Sequence, residues 1–316
     1  MTFWRGRRVL VTGGSGFLGS RIVRMVAAGG AEVAAPRSSE FNLIHLDQAK
    51  ACFESLKPDL VIHCAAFYGG IWMNRMHGAK IFHDNLIMGA NVIEAARQCA
   101  VGKLLTIGSA CAYPDLEGDL REEQLWQGLP HESVENYGTV KRMIWLQGRV
   151  YNRQYGMNII HLMPTNLYGP GDTFDAERSH VASALIRKFV EAKQDHCDTV
   201  VVWGTGDPVR EYMYVEDCAA AIVRAAEVYS EIEPLNIGSG EARTIRELAD
   251  VIAKLTGFRG RITWDTSKPN GQMRKVLDIT RMNRYLQWSP PFGLEEGLRR
   301  TIDWYVAHKA TADLRR

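Results

Sequence analysis

The sequence predicts an α/β protein: a doubly wound parallel sheet with helices on both faces, followed by a smaller α/β C-terminal lobe. Three observations carry that expectation. Short apolar runs alternate with helical patterns through the first half of the chain. The turn TGGSGFLG at 12–19 joins the first apolar run to the first helical stretch. After about residue 165 the alternation loosens, with no internal repeat and no low-complexity linker.

In chain order, RRVLVT (7–12) reads as the first strand and a helix follows near 16–28. AEVAA (31–35) is the second strand, followed by a helix near 46–56, and DLVIHCAA (59–66) leads to a long helix near 79–99. KLLTIGS (103–109) runs into a loop, and a helix near 137–155 feeds MNIIHLMP (157–164). Consecutive strands joined through helices must run parallel, which places helices on both faces. Beyond this come a helix near 180–193, the strand TVVVW (199–203), a helix near 216–228 and PLNIG (234–238). TIRELADVIAKLTG (244–257) and RITW (261–264) follow, then a last helix near 294–308. In that helix Leu294, Leu298, Ile302 and Tyr305 share one face, so it packs on something. The expected division is a dinucleotide-binding domain over 1–165, to which later elements can return, and a second lobe over 166–316.

Composition narrows the class. The chain is 46% hydrophobic and 23% charged with a net charge of +2, an ordinary globular balance without an electrostatic case for nucleic acid or membrane surface. Its apolar stretches fall short of the roughly 18 residues a membrane span needs. MTFWRGRR leads straight into a strand, so no signal peptide is expected. Cysteines at 52, 64, 99, 111, 197 and 218 form no CxxC pair and read as reduced thiols. The nine histidines show no ligand spacing, so no metal is expected. A cytoplasmic protein follows.

Gly13, Gly16 and Gly19, with Phe17 and Leu18 between them, sit between a strand and a helix. Glycines let the backbone turn sharply and approach a pyrophosphate at the helix N-terminus, which is the Rossmann fingerprint. The competing reading is a structural turn. The second strand ends AAPRSS, offering Arg37 and Ser38 where an acid would bind a free ribose 2′-hydroxyl. NADP(H) is therefore the preferred cofactor, with NAD(H) as the alternative.

GSACAYP (108–114) follows the fourth strand. If it stays extended, Ser109 and Cys111 point to the same side and face one pocket; the plain alternative is a loop burying a small thiol. NYGTVK (136–141) places Tyr137 and Lys141 one turn apart on a helix, where the ammonium is expected to lower the phenol's pKa. Such a pair is common on helices and gains meaning only beside the glycine turn and Ser109.

With these residues in view the chain resembles the extended short-chain dehydrogenase/reductases of the NAD-dependent epimerase/dehydratase family. TGGSGFLG, HCAA (63–66), Asn85, Ser109, Tyr137 and Lys141 carry the resemblance across the first half. PTNLYGPGD (164–172), SHVASALIRKF (179–189), VVVWGTGDPVREYMYVED (200–217) and TSKPNGQMRKVLD (266–278) narrow it to the GDP-L-fucose synthase type. The resemblance implies 3,5-epimerisation of a GDP-4-keto-6-deoxy-hexose and NADPH-dependent reduction at carbon 4. It assigns Ser109, Tyr137 and Lys141 to the hydride chemistry, and Cys111 and His180 to proton exchange. A thiol and an imidazole suit that exchange because both titrate near neutrality. It further implies Ala65, Pro164, Asn166 and Leu167 at the cofactor. Asn166, Val181, Arg187, Trp203, Arg210 and Lys268 are implied at the sugar nucleotide, and a homodimer is implied through the helices near 79–99 and 137–155. HESVENYGTVKRM, Ala110 and the bulky segment FYGGIWMNRMHG (67–78) depart from the family's usual pattern and leave the particular sugar open. Two other readings compete: a GDP-sugar epimerase holding NAD with no net reduction, and a cofactor-binding homologue without turnover. His63 and His161 are expected to pack rather than react, and His180 has the plain alternative of a helix cap.

Overall fold

The computed structural model describes residues 3–175 and 178–313. The main sheet is built from β1 (Arg8–Thr12), β2 (Glu32–Ala34), β3 (Leu60–His63), β4 (Lys103–Ile107) and β5 (Ile159–Pro164). Between them run α1 (Gly19–Ala28), α2 (Leu46–Leu56), α3 (Ile71–Met76), α4 (Gly78–Gln98) and α5 (Glu135–Tyr155). After β5 the chain forms β6 (Asn166–Tyr168), α6 (Val181–Gln194), β7 (Thr199–Trp203), β8 (Val209–Tyr214), α7 (Val215–Val228) and β9 (Leu235–Ile237). It closes with β10 (Ala242–Thr244), α8 (Ile245–Thr256), β11 (Arg261–Asp265), β12 (Arg274–Lys275), α9 (Thr280–Leu286) and α10 (Leu294–Ala312).

The sheet order is β2-β1-β3-β4-β5-β9, every neighbouring pair parallel. The predicted α/β architecture is therefore present, and β9 returns from the later chain to the sheet's edge. Strands β3, β4 and β5 are buried along their whole length, as a sheet covered on both faces requires. The buried Lys103 on β4 donates to Ala226 O at 2.7 Å and Tyr229 O at 2.5 Å. Its ammonium thus meets the carbonyl end of α7, a favourable place for a cation.

A polar row crosses the sheet. Thr12, His63, Thr106 and His161 are successive register partners on β1, β3, β4 and β5. Thr12 Oγ1 lies 2.7 Å from His63 Nδ1, and Thr106 Oγ1 lies 2.7 Å from His161 Nδ1. Burial, aided by the Lys141 charge, lowers both imidazoles to about 3, so both are neutral packing groups, as expected from the sequence. His161 Nε2 has no partner and lies 2.5 Å from where a Cβ on Gly108 would sit, so only glycine fits there.

The second lobe centres on β8. It pairs antiparallel with β10 and parallel with β12 and β6, while β7 and β11 form a separate parallel pair. VREYMY was not read as a strand because Pro208 precedes it and Arg210 and Glu211 interrupt its apolar pattern. Glu211 is fully buried and accepts from Gly240 N at 2.8 Å and Leu277 N at 3.0 Å. Its carboxylate thereby fastens the chain on both sides of β8. The short α3 and α9 were likewise unforeseen.

Candidate active site

The order of the main sheet reverses between β1 and β3, and crevices at such switch points hold ligands in open α/β sheets. Gly13 ends β1 with φ +67°, and a Cβ there would lie 2.7 Å from Ala65 N. A Cβ on Gly14 would meet Ala35 Cβ at 2.6 Å, so the loop lies flat between two strands. Gly19 opens α1 directly against the Gly13 carbonyl and leaves no room for a side chain. Arg21 donates to Phe17 O at 2.9 Å and to Pro170 O, tying α1 to the loop after β6. The backbone donors of this turn and the close approach it permits fit a dinucleotide pyrophosphate.

A cavity of about 1140 Å³ runs from this turn across the sheet edge. Gly13, Gly16, Phe17, Leu18, Arg37, Ser38, Ala65, Pro164, Asn166 and Leu167 line it, and so do Ser109, Cys111, Tyr137, Lys141 and His180. Gly19, Val181, Arg187, Trp203, Arg210 and Lys268 lie outside its lining. The turn after β2 does contain an acid: the Glu40 carboxylate accepts from Arg37 N at 2.6 Å. It braces the loop carrying Arg37 and Ser38.

Ser109 and Cys111 do share the cavity, for a different reason than an extended strand. Residues 110–112 form a single 3₁₀ turn, and Ser109 Oγ caps it by accepting from Cys111 N at 3.1 Å. Gly138 on α5 touches the Cys111 carbonyl so closely that a Cβ has no space, which brings Tyr137 against the thiol. Lys141 Nζ donates to Ile107 O at 2.7 Å and stands 5.2 Å from the centre of the Tyr137 ring. Burial and the neighbouring Cys111 push the Tyr137 phenol up, against the lowering expected from its lysine. The phenol is protonated and ready to donate. Burial lowers Lys141 to about 8, with Cys64 opposing.

Cys111 is 6% exposed. Lys275 Nζ lies 3.5 Å from its Sγ, and the Tyr68 hydroxyl lies 3.9 Å from it. Burial would raise this thiol, but the Lys275 charge and contacts with Ser109, Tyr68 and Lys275 outweigh it and hold the thiol below its ordinary range. The Tyr68 ring stacks 4.1 Å from the Tyr137 ring and 5.3 Å from the His180 ring. Asn85 places it by accepting from Phe67 N at 2.8 Å and donating to Phe67 O at 2.8 Å. His180 precedes α6 but makes no side-chain cap, so the plain alternative for it falls away. Burial lowers its imidazole, the Asp172 carboxylate raises it and Lys275 lowers it again.

Tyr68 and Lys275 escaped the sequence reading. Tyr68 lies in the bulky segment 67–78, and Lys275 lies in the motif 266–278 seven residues beyond Lys268. The signal for Lys275 was its register opposite Arg210, visible only once β8 and β12 pair.

Elsewhere in the second lobe, Arg187 donates to Glu191 at 3.0 Å and to Phe174 O at 3.0 Å. Val181 opens α6 against the lobe's core. Trp203 is 63% exposed at the end of β7, with Lys188 Nζ and Lys268 Nζ 5.5 and 5.6 Å from its ring centre. The Arg210 guanidinium donates to Val209 O at 2.9 Å, and burial lowers its pKa.

Comparison with known proteins agrees with this geometry. The chain is 40% identical over 307 residues to a GDP-L-fucose synthase of Sinorhizobium fredii, covering 96% of this chain and 97% of that one. It is 39% identical over 314 residues to the GDP-L-fucose synthase of Escherichia coli, covering 96% and 98%. Its fold superimposes with a TM-score of 0.90 on a GDP-L-fucose synthetase from Naegleria fowleri bound to NADP, at 29% identity and 99% and 98% coverage. Residues 9–238 match the NAD dependent epimerase/dehydratase family, and the chain is a member of it.

Proposed function

We propose that the protein is a GDP-L-fucose synthase: it epimerises GDP-4-keto-6-deoxy-mannose at carbons 3 and 5 and reduces carbon 4 with NADPH. The observation that carries this reading is the single cavity holding the glycine turn, the Ser109–Tyr137–Lys141 group, and both Cys111 and His180. A reductase alone needs only the first three side chains. A thiol and an imidazole beside them are what proton exchange next to a ketone requires.

Residues 1–165 hold mainly the cofactor in this reading, and 166–316 mainly the sugar nucleotide. Arg37 and Ser38 face the adenosine 2′-phosphate. When bound, NADPH supplies the hydride for carbon 4. Ser109 and Tyr137 hydrogen-bond the 4-keto oxygen, which favours the enolate during epimerisation and the alkoxide during reduction. Tyr137 then delivers its proton to that oxygen, and Lys141 carries positive charge beside the phenolate. Arg210 and Arg187 are candidates for the diphosphate because a guanidinium fork binds two oxygens at once. Arg187 must release Glu191 to do so. Trp203, with Lys188 and Lys268 over its ring, offers a stacking face for the base.

The protein acts as a cytoplasmic homodimer in this reading. The six free thiols suit a reducing compartment. Phe82 on α4, with Met143 and Val150 on α5, presents apolar side chains 37–46% exposed for the partner. Among the described residues no helix is long and apolar enough to cross a membrane.

The deciding experiment supplies purified protein with GDP-4-keto-6-deoxy-mannose and NADPH. Loss of NADPH absorbance with formation of GDP-L-fucose is expected. Isomerisation of GDP-mannose with that absorbance unchanged would replace the reading with an epimerase that performs no net reduction.

A further inference from the structure

We infer that Lys275 is a positioning residue whose ammonium, held against the Cys111 sulfur, favours the thiolate over the thiol. The inference rests on the proposed reaction for its purpose, although its geometry stands apart from it.

Lys275 lies 164 residues from Cys111 in sequence, yet its half-buried side chain brings the ammonium to 3.5 Å from the buried sulfur. A charge at that distance interacts far more strongly with a thiolate than it would in water. The approach is built rather than accidental. β12 is paired with β8 on one side, and the buried Glu211 carboxylate grips Leu277 N two residues beyond Lys275. The Lys275 side chain donates to Cys111 Sγ. The remaining charged and titratable groups around the thiol are Tyr68 after β3, Tyr137 on α5, Arg210 on β8 and His180 ahead of α6. Tyr68 and Tyr137 are neutral phenols, since burial raises both. Arg210 adds a second cation; the nearest carboxylates are Asp172, which acts on His180, and Asp115, which acts on Arg210.

The test reads the free enzyme, so it does not depend on turnover. Rates of iodoacetamide alkylation at Cys111, followed by mass spectrometry of its peptide, are measured against pH for wild type, Lys275→Met and Lys275→Arg. Lys275→Met is expected to move the midpoint up by at least ~1 pH unit and slow alkylation near neutrality about tenfold. Lys275→Arg, which keeps the charge, is expected to stay near wild type. Melting temperature and NADPH binding establish that each variant is folded; should Lys275→Met not fold, Lys275→Gln takes its place. An unchanged midpoint in the neutral variant overturns the inference, including the case where only KM for the sugar nucleotide rises and Lys275 is a phosphate ligand. A Lys275-dependent midpoint in a protein that fails to convert GDP-4-keto-6-deoxy-mannose would leave the inference standing and remove the proposed reaction.

Discussion

In the proposed reaction the site has a hydride side and a proton-exchange side, and the two are built in contrasting ways. The hydride side rests on one sheet and one helix: Ser109 follows β4 by two residues, and Tyr137 and Lys141 are a turn apart on α5. Lys141 is anchored to a carbonyl of β4 itself. The proton-exchange side is assembled from four distant segments, with Cys111 after β4, Tyr68 after β3, His180 ahead of α6 and Lys275 on β12. The first half can be correct whenever the main sheet forms. The second is correct only when both lobes close on each other, so it is where a relative of this chain would change its sugar chemistry.

Substitutions can separate the halves. In the proposed reaction Tyr137→Phe removes a hydrogen-bond donor to the keto oxygen that both steps use, and it should cost about 10³–10⁴ in reduction and in solvent deuterium uptake, both measurable on one sample. Cys111→Ser should lower deuterium uptake about 10²–10³-fold while NADPH affinity stays within twofold, since the thiol belongs to the exchange side alone. Equal loss in both measurements would merge the two halves into one.

The floor beneath the hydride side gives a pH prediction. Folded His63 and His161 hold pKa values near 3 against an ordinary 6.5. Below pH 6.5 the unfolded chain therefore binds protons that the folded one refuses, and stability falls as pH drops towards 3. From pH 7 to pH 5 the loss is about 2 kcal/mol for each histidine. Urea unfolding at the two pH values should register it, and the His63→Asn, His161→Asn double variant should flatten it. On the exchange side, Asn85→Ala frees the segment that carries Tyr68 and leaves the Phe67 amide without its partner. It should cost about 1–3 kcal/mol in urea unfolding. A smaller effect is expected at the helix pair: if the proposed dimer forms there, Val150→Glu should shift it towards monomer in light scattering without changing turnover.

Most of the main sheet was legible because a strand buried on both faces is a short apolar run and the glycine turn admits few other uses. α2 and β7 fell at the predicted residues, and α4 and α8 within one residue. β8 was not legible, because its buried polar member, Glu211, is satisfied by backbone donors from elsewhere in the chain. The same applies to the site. Ser109, Cys111, Tyr137 and Lys141 lie on elements readable one at a time. Lys275 and Tyr68 act through register and stacking between segments that no local pattern connects. The i, i+2 argument for Ser109 and Cys111 reached the right pocket through the wrong conformation, since the hydroxyl caps a turn instead of ending a strand.

The return of β9 to the sheet edge has a consequence for how the chain is made. At the moment β5 leaves the ribosome, the sheet still lacks its last strand, and the Lys103 ammonium still lacks the carbonyls of Ala226 and Tyr229. Some seventy residues must be translated before that edge is covered and that charge is bound (β5 closes at Pro164, β9 opens at Leu235). A fragment ending near residue 165 would thus expose a bare parallel edge and leave the Lys103 ammonium without its two carbonyls. The nucleotide half is not a portable module, and a chimera that grafts it elsewhere must carry α7 and β9 along.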